Sequence, residues 1–283
     1  MNILITGGNG FLAKEMNDYF SNSEKDYNII LTDRKSMDVT SYEDVKRMFE
    51  TNKIDIVIHT AVQGGKRGAY ENIDHFMNNI AMFQNLIKFR DQFKFMFNFG
   101  SGAEFDRRFD INNKIEINIW DQSPRDLYGL AKNLITRKIY DLDSNVFNLR
   151  LFGCFGVHEE SQRLFRTCYD KFSKGINAII TQDKYMDYFY AQDVGRVIEN
   201  IVANYNDYDI PRDINLSYSK KYKLSDYAGM IKDLTKNTED VIIESENMAN
   251  AYTGDSFLIE DLEINLIGLQ RGMEECLKNW SKS

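Results

Sequence analysis

Residues 2–13 read Asn2-Ile3-Leu4-Ile5-Thr6-Gly7-Gly8-Asn9-Gly10-Phe11-Leu12-Ala13. A short apolar run, Asn2–Thr6, passes through a glycine-rich turn into apolar residues at helical spacing over Phe11–Phe20. A strand that enters a helix through bare backbone suits a dinucleotide pyrophosphate. The helix N-terminus offers unpaired N–H groups, and glycines let phosphate oxygens approach. Gly7 and Gly10 allow the turn and the approach, Phe11 and Leu12 open the helix, and Ala13 lets it pack against the strand. The segment also fits G-x-G-x-x-A from Gly8. The alternative reading is a glycine turn with no ligand.

Outward from this stretch, short apolar runs alternate with helix-period segments. Asn28–Thr32, Ile54–His59, Phe93–Phe99 and Val146–Leu151 read as strands, and Asp74–Arg90 and Leu127–Tyr140 as helices. Ser41–Glu50 begins Ser-x-x-Asp and reads as a capped helix. Such alternation predicts an α/β fold, a Rossmann-like doubly wound parallel sheet. Beyond Gly156 the pattern loosens. Helices are expected at Lys223–Leu234 and Leu269–Trp280, with strands near Ile176–Ile180, Asp213–Leu216 and Val241–Glu244. The expected division is a dinucleotide-binding domain over 1–156 and a smaller C-terminal α/β substrate lobe over 157–283. Residues 187–205 or so are expected to return to the first domain.

Composition narrows the function. The 283 residues are 43% apolar and 28% charged with net charge −8, ordinary for a globular domain but poorly suited to nucleic acid or an anionic membrane. No apolar run approaches the roughly 20 residues of a membrane span. The three cysteines, Cys154, Cys168 and Cys276, are far apart and predict neither a disulfide framework nor a metal site. The first residues read as strand and loop, not as an export signal. The expectation is a cytoplasmic protein.

Asp33 ends the second strand, twenty residues after Ala13. A carboxylate there accepts from ribose hydroxyls and repels a 2′-phosphate, which favours NAD. Arg34 follows and would pair with a 2′-phosphate, so NADP stays open; Arg34 is equally a solvated loop residue. Asp38-Val39 lies where a carboxylate would meet the adenine amino group, or is simply a turn into a helix.

Tyr128-Gly129-Leu130-Ala131-Lys132 places a phenol and an ammonium four residues apart on one helix face. An ammonium stabilises a phenolate, so the pair can donate a proton to a carbonyl oxygen during hydride transfer. Ser101 follows the strand ending at Phe99, at the carboxyl edge where open α/β sheets bind ligands. Its hydroxyl would hold the same oxygen; the plainer reading is a cap in the turn Gly100-Ser101-Gly102. With the glycine loop in the same chain, Ser101, Tyr128 and Lys132 are the expected catalytic residues.

These segments together resemble the extended short-chain dehydrogenase/reductase family that acts on nucleotide sugars. Thr6–Ala13 resembles TGxxGxx[GA]. Ile54–Val62 resembles D-x-V-I-H-x-A-A, which places Ala61 and Val62 beside the nicotinamide ribose. Asn79 with Asn85-Leu86 resembles the family's Asn helix, and Ser101–Phe105 resembles S-x-x-x-[YF]. Tyr128 and Lys132 match YxxxK, Arg150–Gly156 resembles R-x-x-N-x-x-G, and Asp187–Val194 resembles R-D-F-x-Y-V-x-D-V. The resemblance implies bound NAD or NADP, with Tyr128 and Lys132 also at the nicotinamide ribose and Asn79 in the cofactor site. It further implies a nucleotide-diphosphate sugar substrate, a homodimer, and a place in polysaccharide biosynthesis. Gly102, Arg163 and Arg166 are expected at the substrate, with Lys184 a further candidate for its diphosphate. Phe76, Phe83 and Ile139 are candidates for a four-helix dimer contact, or for burial within the chain.

The departures are specific. Met186 stands where relatives carry Arg, Gly153 where they carry Asn, and Val62 where they carry Ala. Ala103, two residues after Ser101, occupies the place of the cysteine used in double epimerisation. Gln162 and Arg163 stand near the place of its partner histidine, and His158 reads as a loop residue. The resemblance then implies reduction of a 4-keto sugar or 4-epimerisation through a transient ketone, and the chain length resembles the reductases more. Ser101-Gly102-Ala103 lacks the acidic pair of the dehydratases. A dinucleotide-binding scaffold without turnover is the non-enzymatic alternative.

Overall fold

The computed structural model describes residues 1–65, 71–142, 145–205 and 210–282. In chain order the elements are β1 (Asn2–Thr6), α1 (Phe11–Ser21), β2 (Asn28–Thr32), α2 (Tyr42–Thr51), β3 (Ile56–His59), α3 (Ile73–Ile87), β4 (Phe95–Ser101), β5 (Ile111–Lys114), α4 (Leu127–Tyr140), β6 (Val146–Leu151), β7 (Cys154–Phe155), α5 (Leu164–Phe172), β8 (Ala178–Ile180), β9 (Phe189–Tyr190), α6 (Ala191–Asn204), β10 (Asp213–Leu216), α7 (Leu224–Thr235), β11 (Val241–Ile243), β12 (Tyr252–Gly254), α8 (Phe257–Asp261) and α9 (Leu269–Trp280).

Six strands form a sheet in the order β2-β1-β3-β4-β6-β10, with every pairing parallel. Both faces are covered, so the strands run apolar on both sides. Ile3, Ile5, Ile56, Ile58, Phe95, Phe97 and Phe99 face α1 and α6. Leu4, Val57, Met96 and Val146 face α2, α3 and α4. The chain leaves β1 for β2 on one side and returns to β3 on the other. That reversal opens a crevice at the carboxyl ends of β1 and β3. Ser41 caps α2 through the Asp44 N–H, as Ser-x-x-Asp predicts.

One strand departs from expectation. Asp213–Leu216 is expected in the smaller lobe, but it pairs with β6 and completes the central sheet. A third apolar cluster, built from α5, α7, α9 and β8, holds Phe165, Phe172, Tyr227, Ile231 and Trp280. The dimer candidates Phe83 and Ile139 lie inside the core beside α2. The large apolar residues left exposed on α3 and α4 include instead Ile73, Met77 and Leu134. Among the described residues no helix is long and apolar enough to cross a membrane.

Candidate active site

The turn after β1 closes over the crevice. Gly7 takes φ +75°, and a Cβ there would stand 2.8 Å from both Cα and N of Ala61. Both obstacles are backbone, so only bare chain fits. The Gly8 N–H donates to Thr32 O at 2.7 Å and the Gly10 N–H to Gly7 O at 2.8 Å, which turns the chain into α1. Gly10 caps α1 with no side chain, so the N–H groups of its first turn, from Phe11 and Leu12 on, are left for an anion. Ala13 is fully buried beneath the turn. This cradle fits a dinucleotide pyrophosphate.

The end of β3 is pinned to β1. The Thr60 hydroxyl donates to Thr6 O at 2.6 Å, the Ala61 N–H donates to Thr6 Oγ1 at 3.3 Å, and Thr6 Oγ1 lies 2.9 Å from His59 Nδ1. Burial, with the Lys132 charge adding to it, holds the His59 imidazolium down to about 3, so His59 is neutral there.

Asp33 ends β2 beside the cradle. One of its oxygens accepts from the Lys35 and Ser36 N–H groups, and the other accepts from Asn9 Nδ2 at 3.1 Å, across the glycine turn. These bonds, from Ser36 first, hold its carboxyl below the usual range. Arg34 pairs with Asp38 at 3.2 Å, and Asp38 also accepts from the Thr40 N–H and hydroxyl. Asp38 is thus a turn-former with its oxygens engaged, and Val39 is buried. Val62 is exposed in the segment that follows β3. Asn79, expected in the cofactor site, also binds the chain itself: its amide accepts the Gln63 N–H at 2.9 Å and donates to Gln63 O at 2.8 Å, so it shapes the 61–65 segment.

Ser101 is the last residue of β4, and Tyr128 and Lys132 stand one turn apart at the start of α4. Asp126 caps α4, accepting from the Gly129 N–H at 2.7 Å. The Lys132 ammonium is buried and donates to Phe99 O at 2.7 Å. Burial pushes it down to about 8, against the pull of Glu104. The Tyr128 phenol lies close to Ser101. Burial raises its pKa, and Ser101 draws it back. Gly65, at φ +75°, runs so close that a Cβ would lie 2.7 Å from the Tyr128 ring. The three expected catalytic groups are therefore gathered at one sheet edge next to the cradle.

Other expected residues take different work. Gly102 is buried beneath Phe152 and Tyr252, where a Cβ would overlap Phe152, so it packs and does not line open space. Arg166 pairs with Asp170 at 2.9 Å and lies over Tyr169 and Trp280, so it fastens α9 to α5. Arg163 donates to Cys154 O at 2.7 Å, pairs with Glu159 and covers Phe11, which puts it at the mouth of the glycine turn. Lys184 lies over the Tyr252 ring. Gly153 has a steric reason: a Cβ would stand 2.7 Å from Asp187 O.

Two features carry no signal in spacing. Tyr252 puts its hydroxyl 3.2 Å from Ser101 Oγ. Behind Ser101 lies a buried ionic ladder. Arg150, with no exposed surface, donates to Glu104 at 2.8 Å, Asp213 at 2.7 Å and Asn215 at 2.9 Å. Glu104 in turn accepts the Ser101 N–H at 2.7 Å. Asn98, Asn148 and Asp213 sit in register on β4, β6 and β10 and are joined by hydrogen bonds of 2.8 and 2.7 Å. Gly100 is required beside them, since a Cβ would stand 2.6 Å from Glu104 Oε1.

Residues 3–217 match the family model described as "NAD dependent epimerase/dehydratase family". No curated protein matches the chain. Among solved structures, the GDP-mannoheptose C4 reductase MlghC of Campylobacter jejuni with NADP bound is 17% identical, with TM-score 0.85 over 100% of this chain and 98% of its own. A GDP-L-fucose synthetase from Naegleria fowleri is 17% identical, with TM-score 0.80 over 100% and 94%. The UDP-glucose 4-epimerase of Thermotoga maritima with UDP-glucose is 17% identical, with TM-score 0.81 over 100% and 99%. At these identities the likeness is one of fold.

Proposed function

The chain belongs to the NAD dependent epimerase/dehydratase family and is an NAD(P)-dependent enzyme of it, and from that premise we propose that it reduces a 4-keto nucleotide-diphosphate sugar. The convergence of Ser101, Tyr128 and Lys132 beside the glycine cradle carries this reading. The nicotinamide, when bound in reduced form, supplies a hydride to a carbonyl carbon. Ser101 and Tyr128 hydrogen-bond the carbonyl oxygen, and Tyr128 gives it a proton as the carbon–oxygen π pair moves onto oxygen. Lys132 holds one N–H on Phe99 O, which leaves two donors for ribose hydroxyls and a positive charge one turn from the new phenolate.

Two observations favour simple reduction, the first against 4-epimerisation and the second against epimerisation at the neighbouring carbons. Tyr252 and Phe152 crowd Ser101, which narrows the room a keto sugar needs to turn over. Ala103 is apolar and buried, so it supplies no second acid or base for epimerisation at neighbouring carbons. Asp33 supports NAD over NADP, since its carboxylate stands at the end of β2 where a 2′-phosphate would come. Arg163 is the remaining candidate for a phosphate contact. The exposed Ile73, Met77 and Leu134 support a homodimer through α3 and α4.

The test is oxidation of NADH or NADPH by the purified protein with dTDP-4-keto-6-deoxyglucose and with GDP-4-keto-6-deoxymannose, and NMR of the product at C4. Stoichiometric cofactor oxidation with a new C4 hydroxyl is expected. Interconversion of C4 epimers with no net cofactor oxidation would replace the reductase with an epimerase.

A further inference from the structure

We propose that Tyr252 is a positioning residue that makes Ser101 a pure hydrogen-bond donor toward Tyr128 and the reacting oxygen. The proposal rests on the reading of Ser101 and Tyr128 given above and adds a group from the C-terminal part of the chain.

A serine hydroxyl has one proton and two acceptor lone pairs. At Ser101 the Ala103 N–H donates to Oγ at 3.2 Å and takes one lone pair. The Tyr252 hydroxyl stands 3.2 Å away, and Ser101 Oγ is its only hydrogen-bond partner among the described residues. The phenol is half-buried with this one hydrogen bond among the described residues, and with Tyr252 as its donor the second lone pair is taken. Ser101 is left with its O–H alone, and Tyr128 cannot donate to it. The Ser101 proton is then free for a substrate oxygen held between it and the Tyr128 phenol. Tyr128 keeps its own proton for that substrate.

Tyr252 is held for this task. Its N–H donates to Tyr185 O at 2.8 Å, and its carbonyl accepts the Asp187 N–H at 3.1 Å, so both sides of its backbone are fastened. Its ring meets Phe152 edge-on at 5.6 Å, with the Lys184 ammonium over its face at 5.1 Å. Gly102 leaves the space the ring occupies, since a Cβ there would come 2.8 Å from Tyr252 Cζ. The nucleotide-binding half thus supplies the serine, and a distant strand sets its lone pairs.

The experiment uses Tyr252→Phe, which keeps the ring packing, and Ser101→Ala, alone and combined, with NADH or NADPH and the two keto sugars named above. Tyr252→Phe is expected to lower kcat about tenfold, with KM within about twofold, as one hydrogen bond to a group of developing charge implies. On the Ser101→Ala background the same change should cost no more than about twofold, because its route is gone. A readout free of turnover is the ultraviolet tyrosinate titration of the NAD-bound protein, each form compared with its own Tyr128→Phe counterpart. Glu104, Arg107 and Asp126 face Tyr128 in both forms, as does Lys132 on its own helix. In Tyr252→Phe a lone pair of Ser101 is free to accept the Tyr128 proton, so Tyr128 should titrate about one pH unit higher. Equal losses on the serine and alanine backgrounds, or an unmoved Tyr128 titration, would overturn the proposal. Failure of the unaltered protein to turn over either sugar counts against the reduction reading alone, and the titration still decides the role of Tyr252.

Discussion

Arg150→Met removes the centre of the ladder behind Ser101. Arg150 is 0% exposed and holds two carboxylates, Glu104 at 2.8 Å and Asp213 at 2.7 Å, that are themselves 0% and 1% exposed at the side chain. The guanidinium also donates to Asn215 and covers Phe105. Methionine restores much of the volume but none of the charge. Two buried carboxylates then face each other without a counter-ion, and breaking such a group from one side costs about 3–5 kcal/mol. That is a large share of the roughly 5–15 kcal/mol that holds a domain together. The sign with pH follows from Glu104. Burial already raises its carboxyl above 4.5 and Arg150 opposes the rise, so in Arg150→Met the rise is larger. An acid whose folded pKa is raised stabilises the fold below its unfolded value and loses that contribution as pH climbs through the folded one. The deficit of Arg150→Met should therefore be full near pH 7–8 and shrink toward pH 4–5. Urea unfolding followed by circular dichroism at several pH values measures it, with Arg150→Met/Glu104→Gln/Asp213→Asn as the neutralised control. A loss under about 1 kcal/mol at pH 7.5, or a control no more stable than the single variant, would refute the reasoning.

Gly7→Ala should weaken NADH or NADPH binding at least about tenfold by fluorescence titration, because the left-handed backbone and the Ala61 backbone both oppose a Cβ. Tyr128→Phe should cut turnover by about 10²–10⁴-fold while the cofactor dissociation constant stays within about twofold; a loss of only a fewfold would reject its role as proton donor. Burial places the Lys132 ammonium at about 8, so its charge is lost as pH rises past 8. Cofactor affinity in the unaltered protein should fall across pH 7.5–9, and Lys132→Met should be weak and flat with pH. Asp33→Ser should move the ratio of NADH to NADPH affinity toward NADPH by about tenfold, since the repelling carboxylate is gone.

Much of the nucleotide-binding half was legible in one dimension because its signals are local. Thr6–Ala13 joins strand, turn and helix within eight residues, and backbone chemistry alone limits what such a turn can do. Tyr128 and Lys132 share a helix face by spacing. The stripe Val194, Val197, Ile198, Ile201 that buries α6 was also periodic, although the loosened pattern around it hid the helix. The site's support was not legible, because it joins residues far apart in the chain. Tyr252 reaches Ser101 across 151 positions. The ladder depends on strand register: β4, β6 and β10 lie side by side, so Asn98, Asn148 and Asp213 meet on one face, as do Gly100, Arg150 and Asn215. The bonds that join Asn79 to Gln63 likewise span 16 positions with no signal in spacing. The sequence by itself determined five strands of the sheet, the cradle and the expected grouping of Ser101, Tyr128 and Lys132, since each follows from neighbours along the chain. Only the tertiary structure decided which buried polar groups satisfy one another, because a hydrogen bond is set by distance in space, and sequence separation does not reveal it.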